Sequence, residues 1–292
     1  MSLSAFLSLD APVRTPALSP LPRCHIAGVP VDRISLDDAA IRIVTAIQLR
    51  TASTMPLVIM GPNAQLVTLA QKNKLFSEAL DASALNIPDG ISVVLASRFL
   101  GRAVPERVTG GDLMERLCAE AARRNLSTFF LGGLPKAAEL AAQKLQQRYP
   151  TLEIAGTYCP PLGFEKNPLE IAYIRQLIRE ATPDLLFVAF GAPKQEIWMH
   201  QNCPDLPVGA ALSVGAAFDT QAGLRKRAPQ WAQKLWIEWL YRWVQEPQRL
   251  WRRYLLGNTY FIYLVLKQRI RFGRFLETRT SGRKSTPTPS SR

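Results

Sequence analysis

Histidine is scarce in this 292-residue chain. Only His25 and His200 occur, and no His/Cys cluster has metal-ligand spacing, so a zinc site is not expected. The four cysteines, Cys24, Cys118, Cys159 and Cys203, lie far apart and form no CxxC pair. They read as small apolar residues of a reducing compartment and exclude a disulfide framework. GxGxxG is absent, which removes the dinucleotide fingerprint and with it a Rossmann-like oxidoreductase. DxD is absent too, so no acidic pair is offered to a Mg²⁺ or Mn²⁺ on a diphosphate. No run of about 18 uncharged apolar residues occurs. The best candidate, the 13 residues 254–266, is too short to span a bilayer. The start of the chain has Asp10 and no basic region ahead of its apolar residues, so no signal peptide is expected.

Acidic residues thin out toward the C-terminus. Up to Leu224, 20 Lys and Arg balance 20 Asp and Glu; the last 68 residues hold 16 basic residues against 3 acidic and carry the whole net charge of +13. Such asymmetry points to an acidic partner: anionic lipid, a phosphorylated substrate or nucleic acid. Five of the six tryptophans, Trp231, Trp236, Trp239, Trp243 and Trp251, share this region with the 13-residue apolar run. That combination suits a membrane interface at least as well as a nucleic acid. A basic nucleic-acid-binding protein stays as the alternative class, and the favoured reading has no nucleic-acid partner.

What is present is alternation. Short apolar runs at 57–60, 85–87, 128–131, 152–155, 185–190 and 209–214 are separated by helical patterns at 35–49, 63–70, 111–124, 136–148, 168–180 and 193–200. This order predicts an α/β fold: a Rossmann-like, mainly parallel sheet with helices on both faces. A proline-rich leader over 1–23 precedes a core over 24–228. A helical, basic, Trp-rich appendage follows over 229–277, and a polar tail over 278–292 reads as disordered.

Ligands of open α/β sheets sit at the carboxyl ends of the strands, and five polar or glycine-rich turns fall there. Asp89, in Pro88-Asp89-Gly90, is either a general base or the N-cap of a helix over 91–99. Arg107 is either a phosphate or hydroxyl clamp or an ordinary surface residue, and Asp112 opens a helix nearby. Gly132-Gly133 is either a backbone approach to a nucleotide diphosphate or a tight turn. Gln195 and Glu196 either hydrogen-bond a sugar or uracil edge, or Glu196 pairs with His200 on an exposed face. Without DxD, neutralising a leaving diphosphate falls to cations such as Arg242, Arg249 and Arg252, or to backbone N–H groups.

The strings GPN (61–63), PDG (88–90), ERVTGGDL (106–113), FLGG (130–133), FGAPKQE (190–196), VGAAFD (214–219), RAPQW (227–231), EWLYR (238–242) and EPQR (246–249) jointly resemble the WecG/TagA/CpsF family of glycosyltransferases, glycosyltransferase family 26. The resemblance covers roughly 26–255. It implies an inverting, metal-independent transferase without a cofactor. Its partners would be a UDP-sugar donor, a polyprenyl-diphosphate-linked acceptor and an anionic membrane surface; a homo-oligomer is compatible. The donor implied is N-acetylmannosamine-like, with its uronic acid or glucose as alternatives, and the product belongs to cell-surface polysaccharide. The enzyme would be peripheral on the cytoplasmic face of the cell membrane. The resemblance makes Asp89 the base and places Asn63, Arg107, Gly110, Asp112, Gly132, Gly133, Gln195, Glu196, Arg242, Arg249 and Arg252 around the substrates. One departure stands out: the family usually has Thr where this chain has Gly61.

Overall fold

The computed structural model describes residues 20–51, 54–225 and 257–281, with side chains through Arg271. Residues 1–19 of the expected leader lie outside the described residues, as do residues 226–256, which hold all five C-terminal tryptophans and Arg242, Arg249 and Arg252.

Six strands form one parallel sheet in the order β4-β3-β8-β7-β5-β6. They are β3 (Leu57–Met60), β4 (Leu85–Asn86), β5 (Ser127–Gly132), β6 (Glu153–Tyr158), β7 (Leu185–Ala189) and β8 (Ala210–Ser213). Each expected strand is found, displaced by no more than a few residues. Strand β7 reads LLFVA and is buried along its whole length, as a parallel strand covered on both faces must be. Alternate residues divide between two cores. Phe130, Phe187 and Leu212 face α1 (Leu36–Gln48), α5 (Gly110–Arg124) and α6 (Ala137–Arg148), while Phe129, Leu131, Leu186, Val188 and Ala211 face α7 (Pro168–Ala181) and α8 (Lys194–Asn202). On the first side the rings of Phe187 and Phe218 each stand 5.3 Å from that of Phe130.

A third cluster closes the β4 edge. It joins the antiparallel hairpin β1 (Arg23–Ile26) and β2 (Val29–Asp32) to α2 (Ala64–Ala70), α3 (Lys74–Ala82) and α4 (Ile91–Phe99). The hairpin turns through Ala27 and Gly28, both at positive φ, the geometry that matches strand twist in tight hairpins. Neither the hairpin nor α3 stands out in the alternation. Their register is fixed by Asp32, 1% exposed, which accepts from Arg23 Nε and from the backbone N–H of Asn86, both at 2.7 Å. The two-residue edge strand β4 is thereby pinned from outside the sheet.

The short helix α9 (Ala217–Gln221) follows β8, and the last described helix is α10 (Asn258–Ser281). Helix α10 packs on α2 and buries Phe261 and Val265 in the third cluster; each such side chain contributes roughly 2 kcal/mol. Gln268 bridges to the hairpin, donating to the His25 carbonyl and accepting from the Ala27 N–H, both at 2.7 Å. The other face of α10 exposes Ile262, Tyr263, Leu266 and Ile270. Among the described residues no helix is long and apolar enough to cross a membrane. Cys24, Cys118 and Cys203 are buried, and none of the four cysteines is in a disulfide; burial pushes the Cys203 thiol up to about 12.

Candidate active site

The carboxyl ends of β4, β3, β8 and β7 open onto one cleft of about 540 Å³. Four neighbouring strands each contribute a turn: Gly61–Asn63 after β3, Asp89–Ser92 after β4, Gly191–Ala192 after β7 and Val214–Ala217 after β8. Arg107 and Thr109–Gly111 close the cleft from the start of α5, Arg225 closes it beyond α9, and Asn258 brings the first residue of α10 to its wall.

Asp89 lies in the lining. Gly90, at φ +114° and with no side chain to cap with, takes the N-cap position of α4. This excludes the N-cap reading of Asp89. Ile91 and Ser92 of the first turn of α4 line the cleft, and a helix N-terminus suits an anionic ligand. The Val108 N–H donates to the Pro88 carbonyl at 3.0 Å, tying the Arg107 loop to the Asp89 turn. Gly61 matters by closeness: a Cβ there would stand 3.1 Å from Asp89 Cβ and 3.4 Å from Asp89 Oδ2. A threonine at this position would set its hydroxyl against the carboxylate.

Asn63 lines the cleft but spends its side-chain oxygen on the N–H groups of Gln65 and Leu66, capping α2. Helix α5 is capped by Thr109, whose hydroxyl accepts from the Asp112 N–H and donates to Asp112 Oδ2 at 2.7 Å. Asp112 serves that cap and is not part of the lining. Gly110 allows α5 to approach β8, since a Cβ on it would meet the Ser213 carbonyl at 2.6 Å.

Gly132 and Gly133 do not line the cleft. Strand β5 lies beyond β7 in the sheet, and the turn's donors are spent internally. Gly133 N–H donates to the Ala189 carbonyl at 2.9 Å, and Leu134 N–H donates to Asp219 Oδ1 at 3.0 Å. Both glycines have positive φ, and a Cβ would stand 2.9 Å from the Ala189 carbonyl at Gly132 and 3.0 Å from Ala137 Cβ at Gly133, so they serve close packing.

Gln195 and Glu196 are buried in the cleft wall. The Gln195 carbonyl oxygen accepts from the N–H groups of Gly191 and Gly215, each at 3.2 Å, so it binds the β7 and β8 turns together. Its amide nitrogen donates to Glu196 Oε1 at 2.7 Å. Glu196 is 0% exposed, which rules out the exposed pair with His200. Its other oxygen, Oε2, is buried and has no hydrogen-bond partner. Burial, with the Asp89 charge adding to it, raises the Glu196 carboxyl to about 7; charge loss on desolvation is the physical cause.

Arg225 is not evident from sequence. Its Nε lies 3.4 Å from Asp219 Oδ2, and it lines the cleft, as Arg107 does. The one available signal is that it opens the basic C-terminal excess, six residues after the end of the VGAAFD string. Among the described residues no three His, Cys, Asp or Glu side chains are grouped to hold a metal ion.

Residues 24–274 match the model of the "Glycosyl transferase WecG/TagA/CpsF family". Similar proteins carry the name N-acetylglucosaminyldiphosphoundecaprenol N-acetyl-beta-D-mannosaminyltransferase. The one from Bacillus spizizenii is 32% identical over 209 residues, covering 72% of this chain and 78% of the relative. The one from Bacillus subtilis is 32% identical over 211 residues, covering 72% and 79%. That of Staphylococcus aureus strain MW2 is 31% identical over 215 residues, covering 74% and 82%. A cleft at the carboxyl edge of a Rossmann-like sheet, with a carboxylate and two guanidiniums in its lining, thus goes with a family match over most of the chain: this protein is a hexosyltransferase and belongs to the WecG/TagA/CpsF family of glycosyltransferases.

Proposed function

We propose that the enzyme transfers an N-acetylmannosaminyl group from its UDP derivative to a polyprenyl-diphosphate-linked N-acetylglucosamine, with inversion and without a metal. The observation that carries this is Asp89 in the cleft lining beside Arg107, in a chain whose relatives are named for that transfer. The acceptor hydroxyl gives its proton to Asp89. Its oxygen then bonds to the donor anomeric carbon on the face opposite UDP. The bond from that carbon to the diphosphate oxygen breaks, and its electron pair leaves with UDP. Arg107, Arg225 and the N-terminus of α4 stabilise the charge that develops. Arg242, Arg249 and Arg252 would add to this from the appendage. Mass spectrometry of a panel of UDP-sugars incubated with a short-chain lipid-diphosphate-GlcNAc, with excess EDTA, tests the assignment. One N-acetylmannosaminyl addition surviving EDTA is expected. Addition of another sugar, or a requirement for Mg²⁺ or Mn²⁺, contradicts it.

The C-terminal region, in this proposal, docks the enzyme on the cytoplasmic face of the membrane, where a lipid-linked acceptor is found. Support comes from the +13 charge beyond Leu224 and from the exposed Ile262, Tyr263, Leu266 and Ile270 of α10. Each basic residue near an anionic surface contributes about 1 kcal/mol, screened by salt. Because Asn258 lines the cleft, α10 also links the docked region to the substrates. Sedimentation with phosphatidylglycerol liposomes should be strong at low salt, weaken with added NaCl and be lost on truncation after Gln245. A truncated protein that still sediments removes the docking role.

A further inference from the structure

Two carboxyl side chains line the cleft, and the proton transfer uses one of them. We propose that Glu196 is a second substrate-contacting group, holding a proton on Oε2 and donating it in a hydrogen bond to an oxygen of the sugar bound beside Asp89. This role rests on the transferase assignment above and extends it to a residue with no part in the proton transfer itself.

The geometry carries it. Glu196 is completely buried, yet it belongs to the cleft wall. One oxygen is fixed: Gln195 donates to Oε1, and Gln195 is itself held by the Gly191 and Gly215 N–H groups. Two strand-end turns thus orient this one carboxyl. The other oxygen has no partner in the protein, and a buried polar atom left so costs free energy unless a ligand or water meets it. A carboxyl oxygen there can either donate, when protonated, or accept, when ionised.

The surroundings choose the protonated form. Asp89 is the charged neighbour that acts on Glu196, and it opposes a second negative charge. Strands β3, β7 and β8, against which α8 packs, carry no titratable residue. On α3 the titratable Lys74, Glu78 and Asp81 are all exposed. On α8 itself Lys194 is paired with Glu165, and Asp205 of the following turn with Arg175. His200 stands one turn further along α8 and is half-buried, and Arg107 and Arg225 complete the charged groups of the cleft. Desolvation therefore dominates, and the Glu196 carboxyl lies near 7. Ionisation above that pH replaces a donor with an acceptor and puts a second negative charge beside Asp89 and the substrate diphosphate.

The test is the pH dependence of kcat/KM between pH 6 and 9, with UDP-N-acetylmannosamine and a short-chain lipid-diphosphate-GlcNAc, for wild type, Glu196→Gln and Glu196→Ala. Glutamine keeps a donor at every pH. Wild type is expected to lose activity as pH rises through about 7. Glu196→Gln should retain more activity than Glu196→Ala at pH 6.5 and lack that alkaline decline, whereas Glu196→Ala should fall at least tenfold at pH 6.5, mostly in KM. An unchanged alkaline decline in Glu196→Gln, or a hundredfold loss at pH 6.5, overturns the proposal. Carbon-13 titration of the Glu196 carboxyl in the wild-type protein reads the same group without activity. A titration near neutrality is expected, and one in the ordinary carboxylate range overturns it. Wild type inactive on these substrates, with Glu196 titrating near neutrality, counts against the substrate assignment and leaves the protonated carboxyl standing.

Discussion

Replacing Glu196 by glutamine should stabilise the folded protein at alkaline pH and do much less near pH 5. The carboxyl rises from 4.5 in the unfolded chain to about 7 in the fold. The folded state therefore binds the proton more tightly, and stability falls with pH wherever it carries the extra proton. The contribution of this group is fully present below the unfolded value of 4.5, is lost as pH rises through about 7, and changes no further above that. Each tenfold gain in proton affinity corresponds to about 1.4 kcal/mol, so the full swing is roughly 3 kcal/mol, and roughly 2–3 kcal/mol of it falls between pH 5 and 8. Glutamine does not titrate and still offers an oxygen to the Gln195 amide. Urea unfolding of both proteins at pH 5 and pH 8 isolates the effect, because titrating groups that do not interact with Glu196 cancel in the difference. The gap between Glu196→Gln and wild type should widen by roughly 2–3 kcal/mol at pH 8, or about 3–5 °C in Tm for a chain of this size. A gap that is the same at both pH values refutes the protonated, buried carboxyl.

Two structural predictions concern the supports of the cleft. Asp32→Ala removes the acceptor of Arg23 and of the Asn86 N–H, and should cost about 2–3 kcal/mol in urea unfolding, with Arg23 partly exposed and so discounted; a loss under about 1 kcal/mol shows that β4 is held otherwise. Gly110→Ala places a Cβ 2.6 Å from the Ser213 carbonyl, so α5 must retreat from β8 and transfer should fall at least tenfold, although alanine favours a helix by about 1 kcal/mol. A variant as active as wild type would mean that the cleft tolerates the shift.

The parallel sheet is legible in the sequence because apolar runs such as 185–190 and 209–214 alternate with helical periods, and a strand buried on both faces writes an unbroken apolar run. The hairpin is not, because its eight paired residues include Arg23, His25, Pro30 and Asp32 and are held by polar bonds to α10 and β4. Strand order is also hidden. Nothing in Gly132-Gly133 reveals that β5 lies on the far side of β7, so a glycine turn at a strand end looks the same as the turns that do reach the cleft. Asp89 and Arg107 can be found because both sit in the loops leaving or facing β4. Glu196 reads as a ligand contact, yet its burial depends on α8 packing into the sheet, which a nine-residue segment cannot disclose. Arg225 escapes for the opposite reason: among 16 basic residues of the C-terminal region its place in the cleft is set by tertiary structure alone.

Turnover of the Asp89→Asn protein tests the account most directly. Asparagine keeps the size of the side chain and removes its basicity. With UDP-N-acetylmannosamine and a short-chain lipid-diphosphate-GlcNAc, kcat should fall about 10²-fold or more, the usual scale for loss of a general base, while the unfolding midpoint stays near that of wild type. An Asp89→Asn enzyme that turns over within a few-fold of wild type contradicts the assignment of Asp89 as the group that takes the acceptor proton.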